Sequence, residues 1–257
     1  SAVYVFGNDV YIAGYEYEGN KRVAKVWKNG VATSLSNGTS NAYTSTVFVA
    51  GTDVYVGGHE YVNTKIIAKI WKNGIGTSLN DASVDASVTS IYVSGTDVYA
   101  CGSINNNGSG RGVIWKNGTV SESLSQINYF KSMVVSGNDI YAVGYSNGQV
   151  ASGTTYYTAM LYKNGVVTAL PNLYGGAGGV NTFANSVFVS GSDVYVAGGE
   201  FVYINSNAGE YTRVWKNGVI LTEYTGNKEA NSVYIDNGQV YVAGRKITPS
   251  IGTAATI

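Results

Sequence analysis

Six tyrosines, Tyr11, Tyr55, Tyr99, Tyr141, Tyr195 and Tyr241, each stand three residues before a glycine, and this recurring pattern constrains the fold more than any other feature of the chain. The glycines are Gly14, Gly58, Gly102, Gly144, Gly198 and Gly244. An aspartate sits two residues before the tyrosine in the first five copies (Asp9, Asp53, Asp97, Asp139, Asp193), and Gln239 takes that place in the sixth. Successive tyrosines are 42 to 54 residues apart. That period suits a four-stranded propeller blade and is too long for a leucine-rich or ankyrin unit.

Within one copy, four short apolar runs alternate with turns, as the strands of an antiparallel sheet do. In the fifth copy the expected strands are Ser186 to Val189, Val194 to Ala197, Arg213 to Trp215 and Val219 to Glu223. Gly191-Ser192-Asp193 joins the first two, and Asn217-Gly218 joins the last two. Asn-Gly accepts the positive φ angles of a type I′ hairpin turn, and it recurs as Asn29-Gly30, Asn73-Gly74, Asn117-Gly118 and Asn164-Gly165. The chain therefore reads as all-β: a single six-bladed β-propeller of four-stranded antiparallel blades, one domain over residues 1–257. The last blade is incomplete. Aligned on Ala24-Lys25-Val26-Trp27, the sixth copy reaches Ala255-Thr256-Ile257 just before its tryptophan position. An open strand edge invites association, so this copy predicts a longer parent chain or an edge covered in some other way.

An apolar inner strand, a tyrosine-bearing strand ending in glycine, a third strand carrying an aromatic and a short outer strand together resemble the kelch-type blade. The double glycine of that family stands here as Gly57-Gly58 and Gly198-Gly199. The Trp-Lys-Asn-Gly turns are not a general kelch signature; they are similar to turns of repeats in bacterial exported β-propellers. The resemblance implies architecture and no particular activity.

Lysine plus arginine equals aspartate plus glutamate at 16 each, and 12% of residues are charged, so no strong field invites nucleic acid or an anionic membrane. One cysteine, Cys101, supports neither a disulfide nor a cysteine metal site, and it is expected to be a buried, inert thiol. One histidine, His59, gives no histidine metal cluster. No cofactor and no metal are expected. No apolar run approaches the roughly 18 residues of a membrane span. A chain rich in Gly, Ser, Thr, Asn and Tyr that begins directly in a strand pattern reads as a mature or trimmed bacterial protein, extracellular or at the cell surface.

In a four-strand meander the one-to-two and three-to-four turns share one rim. There the five aspartates meet Lys28, Lys72, Lys116, Lys163 and Lys216. They read as turn formers and solvating tips, or as a repeated docking surface. The opposite rim carries the variable two-to-three connections and a glycine-rich excursion, Gly175-Gly176-Ala177-Gly178-Gly179. Loops on a rigid scaffold are where binding resides, so this rim is the candidate functional face.

All four arginines, Arg22, Arg111, Arg213 and Arg245, map to that rim. Beside them are Tyr15, Glu16, Tyr17, His59, Glu60, Tyr61, Tyr145, Glu200 and Phe201. Aromatic faces suit sugar rings, while arginine and glutamate orient hydroxyls or carboxylates. The expected ligand-binding set is therefore Tyr15, Glu16, Tyr17, His59, Glu60, Tyr61, Arg111, Tyr145, Glu200, Phe201 and Arg245, joined in one composite site for a glycan or a surface protein. No catalytic residue is assigned. Two other readings stay open: a glycan-active hydrolase or lyase using loop carboxylates, with Glu16 and Glu60 as its pair, and a protein-interaction or spacer module. Trp27, Trp71, Trp115 and Trp215, with Tyr162 in the equivalent place, read as filler between blades, or as a ring of sugar sites.

Overall fold

The computed structural model describes residues 2–106, 108–149, 155–173, 180–204, 207–225, 228–248 and 252–256. The glycine-rich excursion at 175–179 lies outside them. Six antiparallel meander sheets follow one another along the chain, five with four strands and the sixth with three. Blade 1 holds β1 (Ala2–Phe6), β2 (Asp9–Glu18), β3 (Lys21–Lys28) and β4 (Val31–Ser34). Blade 2 holds β5 (Ala42–Ala50), β6 (Asp53–Val62), β7 (Lys65–Lys72) and β8 (Ile75–Ser78). Blade 3 holds β9 (Asp85–Ser94), β10 (Asp97–Asn106), β11 (Ser109–Lys116) and β12 (Thr119–Leu124). Blade 4 holds β13 (Tyr129–Ser136), β14 (Asp139–Gln149), β15 (Thr155–Lys163) and β16 (Val166–Ala169). Blade 5 holds β17 (Val180–Ser190), β18 (Asp193–Ile204), β19 (Asn207–Lys216) and β20 (Val219–Thr225). Blade 6 holds β21 (Lys228–Asp236), β22 (Gln239–Thr248) and β23 (Gly252–Thr256). This is the all-β, six-bladed propeller fold that the repeat implies. The chain divides into two compact units, Ser1–Ser125 with blades 1 to 3 and Gln126–Ile257 with blades 4 to 6.

The repeated glycine has a packing cause. In blades 2 to 6 the first strand carries one extra residue opposite it (Ser45, Thr89, Lys131, Asn185 and Asn231), a β-bulge of the kind that bends a strand. A Cβ added to Gly58, Gly102, Gly144, Gly198 or Gly244 would overlap the backbone carbonyl oxygen of Tyr43, Ser87, Tyr129, Phe183 or Glu229. Only a residue without a side chain lets the two strands close there.

The repeated aspartate, lysine and asparagine form a clamp inside each of blades 1 to 5. Lysine ammonium groups lie 2.7–2.9 Å from the aspartates in the pairs Lys28–Asp9, Lys72–Asp53, Lys116–Asp97, Lys163–Asp139 and Lys216–Asp193. The asparagine of each Asn-Gly turn donates its Nδ2 to the same aspartate at 2.7–2.8 Å. Its Oδ1 accepts the N–H of the residue after that aspartate at 2.8–2.9 Å. Each lysine also lies over the blade tyrosine, 5.0–5.4 Å from the ring centre. The asparagines adopt φ of 47–52° at these turns. The motif ties two turns of one blade together, so its charges are already partnered and solvating tips are the lesser part of their role.

Apolar clusters that contain the blade tyrosines join neighbouring blades within each unit. Tyr11, Ala24 and Val26 meet Val47, Val49, Val56 and Trp71, and Tyr55, Ala68 and Ile70 meet Val88, Ile91 and Trp115. In the second unit Tyr141 and Val143 meet Val187, Val196 and Trp215, and Tyr195 and Ala197 meet Val233 and Ile235. Trp71, Trp115 and Trp215 are at most 2% exposed within clusters shared by two sheets, which makes them filler between those sheets, and Tyr162, 1% exposed, meets Phe130 of its own blade. Cys101 is fully buried, and burial pushes its thiol up to about 12, so it is inert at neutral pH. No helix among the described residues is long and apolar enough to cross a membrane.

One expectation is corrected. The two-to-three connections of blades 1 to 3 are strand, not loop: pairing continues to Glu18↔Lys21, Val62↔Lys65 and Asn106↔Ser109, and in blades 1 and 2 it leaves two-residue turns. In blade 5 the second strand likewise runs from Asp193 to Ile204, well past Ala197. Polar and aromatic residues alternate in these segments, and a strand pairs through its backbone whatever side chains alternate along it.

Candidate functional site

Extending the strands fixes the direction of the candidate side chains. Along β2, Tyr15 and Tyr17 point to one side, and Glu16 and Glu18 to the other. Arg22 stands opposite Tyr17 on β3. Its guanidinium carbon lies 5.4 Å from the Tyr15 ring centre, 5.1 Å from that of Tyr17 and 5.1 Å from that of Tyr43. Arg22 Nη1 also donates to the Tyr43 hydroxyl.

In blade 2, Tyr43 on β5 is the register partner of His59 on β6. The two rings stack with centroids 4.9 Å apart and planes 19° from parallel. Tyr61 meets His59 at 5.7 Å and Tyr43 at 6.0 Å, both edge-on. Tyr15 reaches Tyr43 at 5.5 Å and so joins the blades into one run of five rings. Asn41 locks this arrangement: its Oδ1 accepts the Arg22 N–H, and its carbonyl accepts the Tyr61 N–H, each at 2.9 Å. Tyr17 is 60% exposed and Tyr15 40%, while Tyr43, His59 and Tyr61 are half-buried. The patch is thus anchored at its base and open at its edge. Burial lowers the His59 pKa below the ordinary imidazole value, and its Nδ1 has no hydrogen-bond partner among the described residues.

The carboxylates beside this patch are turned away from it. Glu16 and Glu18 hold Lys25 at 2.7 and 2.9 Å, and Glu60 holds Lys69 at 3.3 Å. The structure does not bring Glu16 and Glu60 into contact.

A second aromatic run lies in the other unit. Tyr129 and Tyr145 stack at 5.8 Å and 7°, Tyr145 meets Tyr157 at 5.4 Å and Phe183 at 5.3 Å, and Phe183 meets Phe201 at 5.7 Å. Lys131, the bulged residue, lies 5.1 Å from the Tyr129 ring centre. Expected site residues thus fall in two aromatic runs, one within each unit.

Three expected site residues have other employment or stand apart. Glu200 is 0% exposed and accepts from Arg213 Nε at 2.6 Å; both side chains are buried, so Glu200 is a structural ion-pair partner and no surface ligand group. Arg245 pairs with Glu229 at 2.8 Å, and Asn185 donates to the same carboxylate at 3.0 Å. Arg111 is exposed on β11 opposite Ile104, outside the ring contacts of the patch. Three ring residues escaped the expected set because register alone reveals them: Tyr43, Tyr129 and Phe183 stand fifteen residues before Gly58, Gly144 and Gly198, on the inner strand. That constant offset, shared by Ser87 and Glu229, was the available signal.

A separate cavity of about 220 Å³ between blades 1 and 2 is lined by Tyr11, Val26, Leu35, Val56 and Trp71 among others. It is mostly apolar and smaller than the roughly 300–1,000 Å³ of ordinary ligand pockets. Among the described residues, no group of three or more His, Cys, Asp or Glu side chains could hold a metal ion.

No protein-family model and no curated protein matches this chain. Among solved structures it is similar to the Pyrococcus horikoshii acylaminoacyl peptidase (orthorhombic crystal form), at 14% identity and a TM-score of 0.54, over 95% of this chain and 42% of that one. It also aligns with the Cellvibrio cellulosa alpha-L-arabinanase complexed with arabinohexaose, at 9% identity and a TM-score of 0.40, over 82% of this chain and 89% of that one. This chain spans less than half of the peptidase, and the likeness to it is one of fold alone.

Proposed function

We propose that this protein is a non-catalytic carbohydrate-binding module of kelch-like blades, exported by a bacterium to its surface or surroundings, and that its ligand lies on the aromatic run of blades 1 and 2. The observation that carries the proposal is the unbroken series Tyr17, Tyr15, Tyr43, His59, Tyr61, with neighbouring ring centres 4.9–6.0 Å apart and with Tyr15 and Tyr17 exposed at one end. Flat rings of this kind offer apolar faces to the CH surface of a sugar, and tyrosine hydroxyls at their rims exchange hydrogen bonds with its hydroxyls. Rings packed against one another lose little freedom on binding, which favours affinity. Support for binding without chemistry comes from the carboxylates: Glu16 and Glu60 serve Lys25 and Lys69 on the other side of their strands. A glycosidase would need two acids converging on one bond.

A glycan and polysaccharide array probed with the wild type, Tyr17→Ala and Tyr61→Ala tests this. Selective binding weakened by about tenfold in each variant is expected, the loss of one stacking ring, with melting temperature almost unchanged. Absence of binding to every glycan, or binding indifferent to both changes, rejects the carbohydrate reading and favours a protein partner.

A further inference from the structure

Nine cations have carboxylate partners among the described residues. Five lysines serve the turn aspartates, Lys25 and Lys69 serve Glu16, Glu18 and Glu60, and Arg213 and Arg245 serve Glu200 and Glu229. Arg22, like Arg111 and Lys131, has no carboxylate partner among the described residues, but it is the one of these that lies among three aromatic rings. Its neighbours are the rings of Tyr15, Tyr17 and Tyr43 and the Tyr43 hydroxyl, and its buried Nε has no acceptor. Ring faces attract a cation, yet they leave its charge unneutralised.

Blade construction does not require this arginine. The equivalent third-strand positions, opposite the residue three past the blade glycine, hold Ile66, Gly110, Tyr157 and Glu210. The hydrogen bond that anchors the Arg22 backbone to Asn41 is reproduced without a guanidinium, from Ile66 N–H to Asp85 Oδ1 and from Tyr157 N–H to Asn181 Oδ1, at 2.9 and 2.8 Å. An uncompensated guanidinium at the centre of a half-exposed aromatic run is thus a local addition to the fold. Its complement is a planar anion small enough to sit beside a stacked ring.

We infer that Arg22 makes the run on blades 1 and 2 selective for saccharides bearing a carboxylate, the uronic-acid class, over their neutral counterparts; the inference rests on the carbohydrate reading above. The sugar ring stacks on Tyr15, Tyr43 or Tyr61, and its carboxylate accepts charge-assisted hydrogen bonds from the guanidinium. Arg22 acts as a specificity residue, and the rings supply the affinity common to acidic and neutral sugars.

The test uses the full chain with polygalacturonate, alginate and hyaluronan, each compared with its carboxyl-reduced form, which keeps the glycan backbone and removes the charge. Titration calorimetry on the wild type, Arg22→Gln and Arg22→Lys is accompanied by melting temperatures to confirm folding. At least one acid polymer is expected to bind about tenfold more tightly than its reduced form. Arg22→Gln should abolish that preference while keeping the affinity for the reduced form, and Arg22→Lys should retain part of it. Equal binding of acid and reduced forms, a preference that survives in Arg22→Gln, or binding of neutral glycans alone overturns the inference and leaves the carbohydrate reading standing. Binding of no glycan at all overturns both.

Discussion

The strictest demand in this fold falls on single atoms at the blade glycine. Gly144→Ala places a Cβ against the Tyr129 carbonyl, and neither strand can retreat without breaking the ladder. A loss of about 1–3 kcal/mol is expected, read from the urea midpoint, as for other overpacked sites. Trp115 is fully buried between blades 2 and 3, so Trp115→Ala should cost about 3–5 kcal/mol in the same measurement. His59 gives a pH signature of opposite origin. Burial lowers its pKa, so the unfolded chain binds this proton more readily than the folded one. Its contribution to stability is complete above the ordinary value of 6.5 and is lost as pH falls below it toward the folded value. His59→Phe should flatten the decline in melting temperature between about pH 7 and 5; an unchanged slope would mean that His59 is not desolvated. Residue identities were readable at this scale, but partners were not: Tyr43 is an ordinary strand tyrosine until register places it opposite His59.

Hairpins are the elements of this molecule, and each of blades 1 to 5 closes its turn rim with the same aspartate, lysine and asparagine. Lysine and asparagine together hold each aspartate below the usual carboxylate range. The aspartate shift therefore contributes stability above the ordinary value of 3.8, lost as pH falls through the depressed folded value. The lysines are raised in turn, a contribution present below 10.5 and lost as pH climbs through the raised value. Asp97→Asn should lower the melting temperature at pH 7 and narrow the gap from wild type near pH 2–3, checked by thermal scans across that range. Asn117→Ala removes two hydrogen bonds and a residue suited to φ of 50°, and it should cost about 1–2 kcal/mol at pH 7. The Asn-Gly turns were legible because a two-residue hairpin needs positive φ, a purely local condition. The projecting halves of β2 and β6 were not, because alternating polar and aromatic residues read equally as variable loop.

At the scale of the whole molecule, balanced charge leaves little long-range repulsion between copies, so solubility against a precipitant should be lowest near neutral pH and rise on either side. A minimum far from neutrality would show that the charges are unevenly balanced in solution. The chain's own order determined the number of blades, their strand order and the turns that join them, since period, turn chemistry and the tyrosine-to-glycine spacing are properties of neighbouring residues. Tertiary structure alone decided which chemistry those blades present. It buried Glu200 against Arg213, engaged Arg245 with Glu229, turned Glu16 and Glu60 toward lysines and left Arg22 among tyrosine rings. Pairing of that kind depends on strand register and on which blade packs beside which. These are set by side chains far apart in sequence, where a shift of one residue moves a group to the opposite face of its sheet.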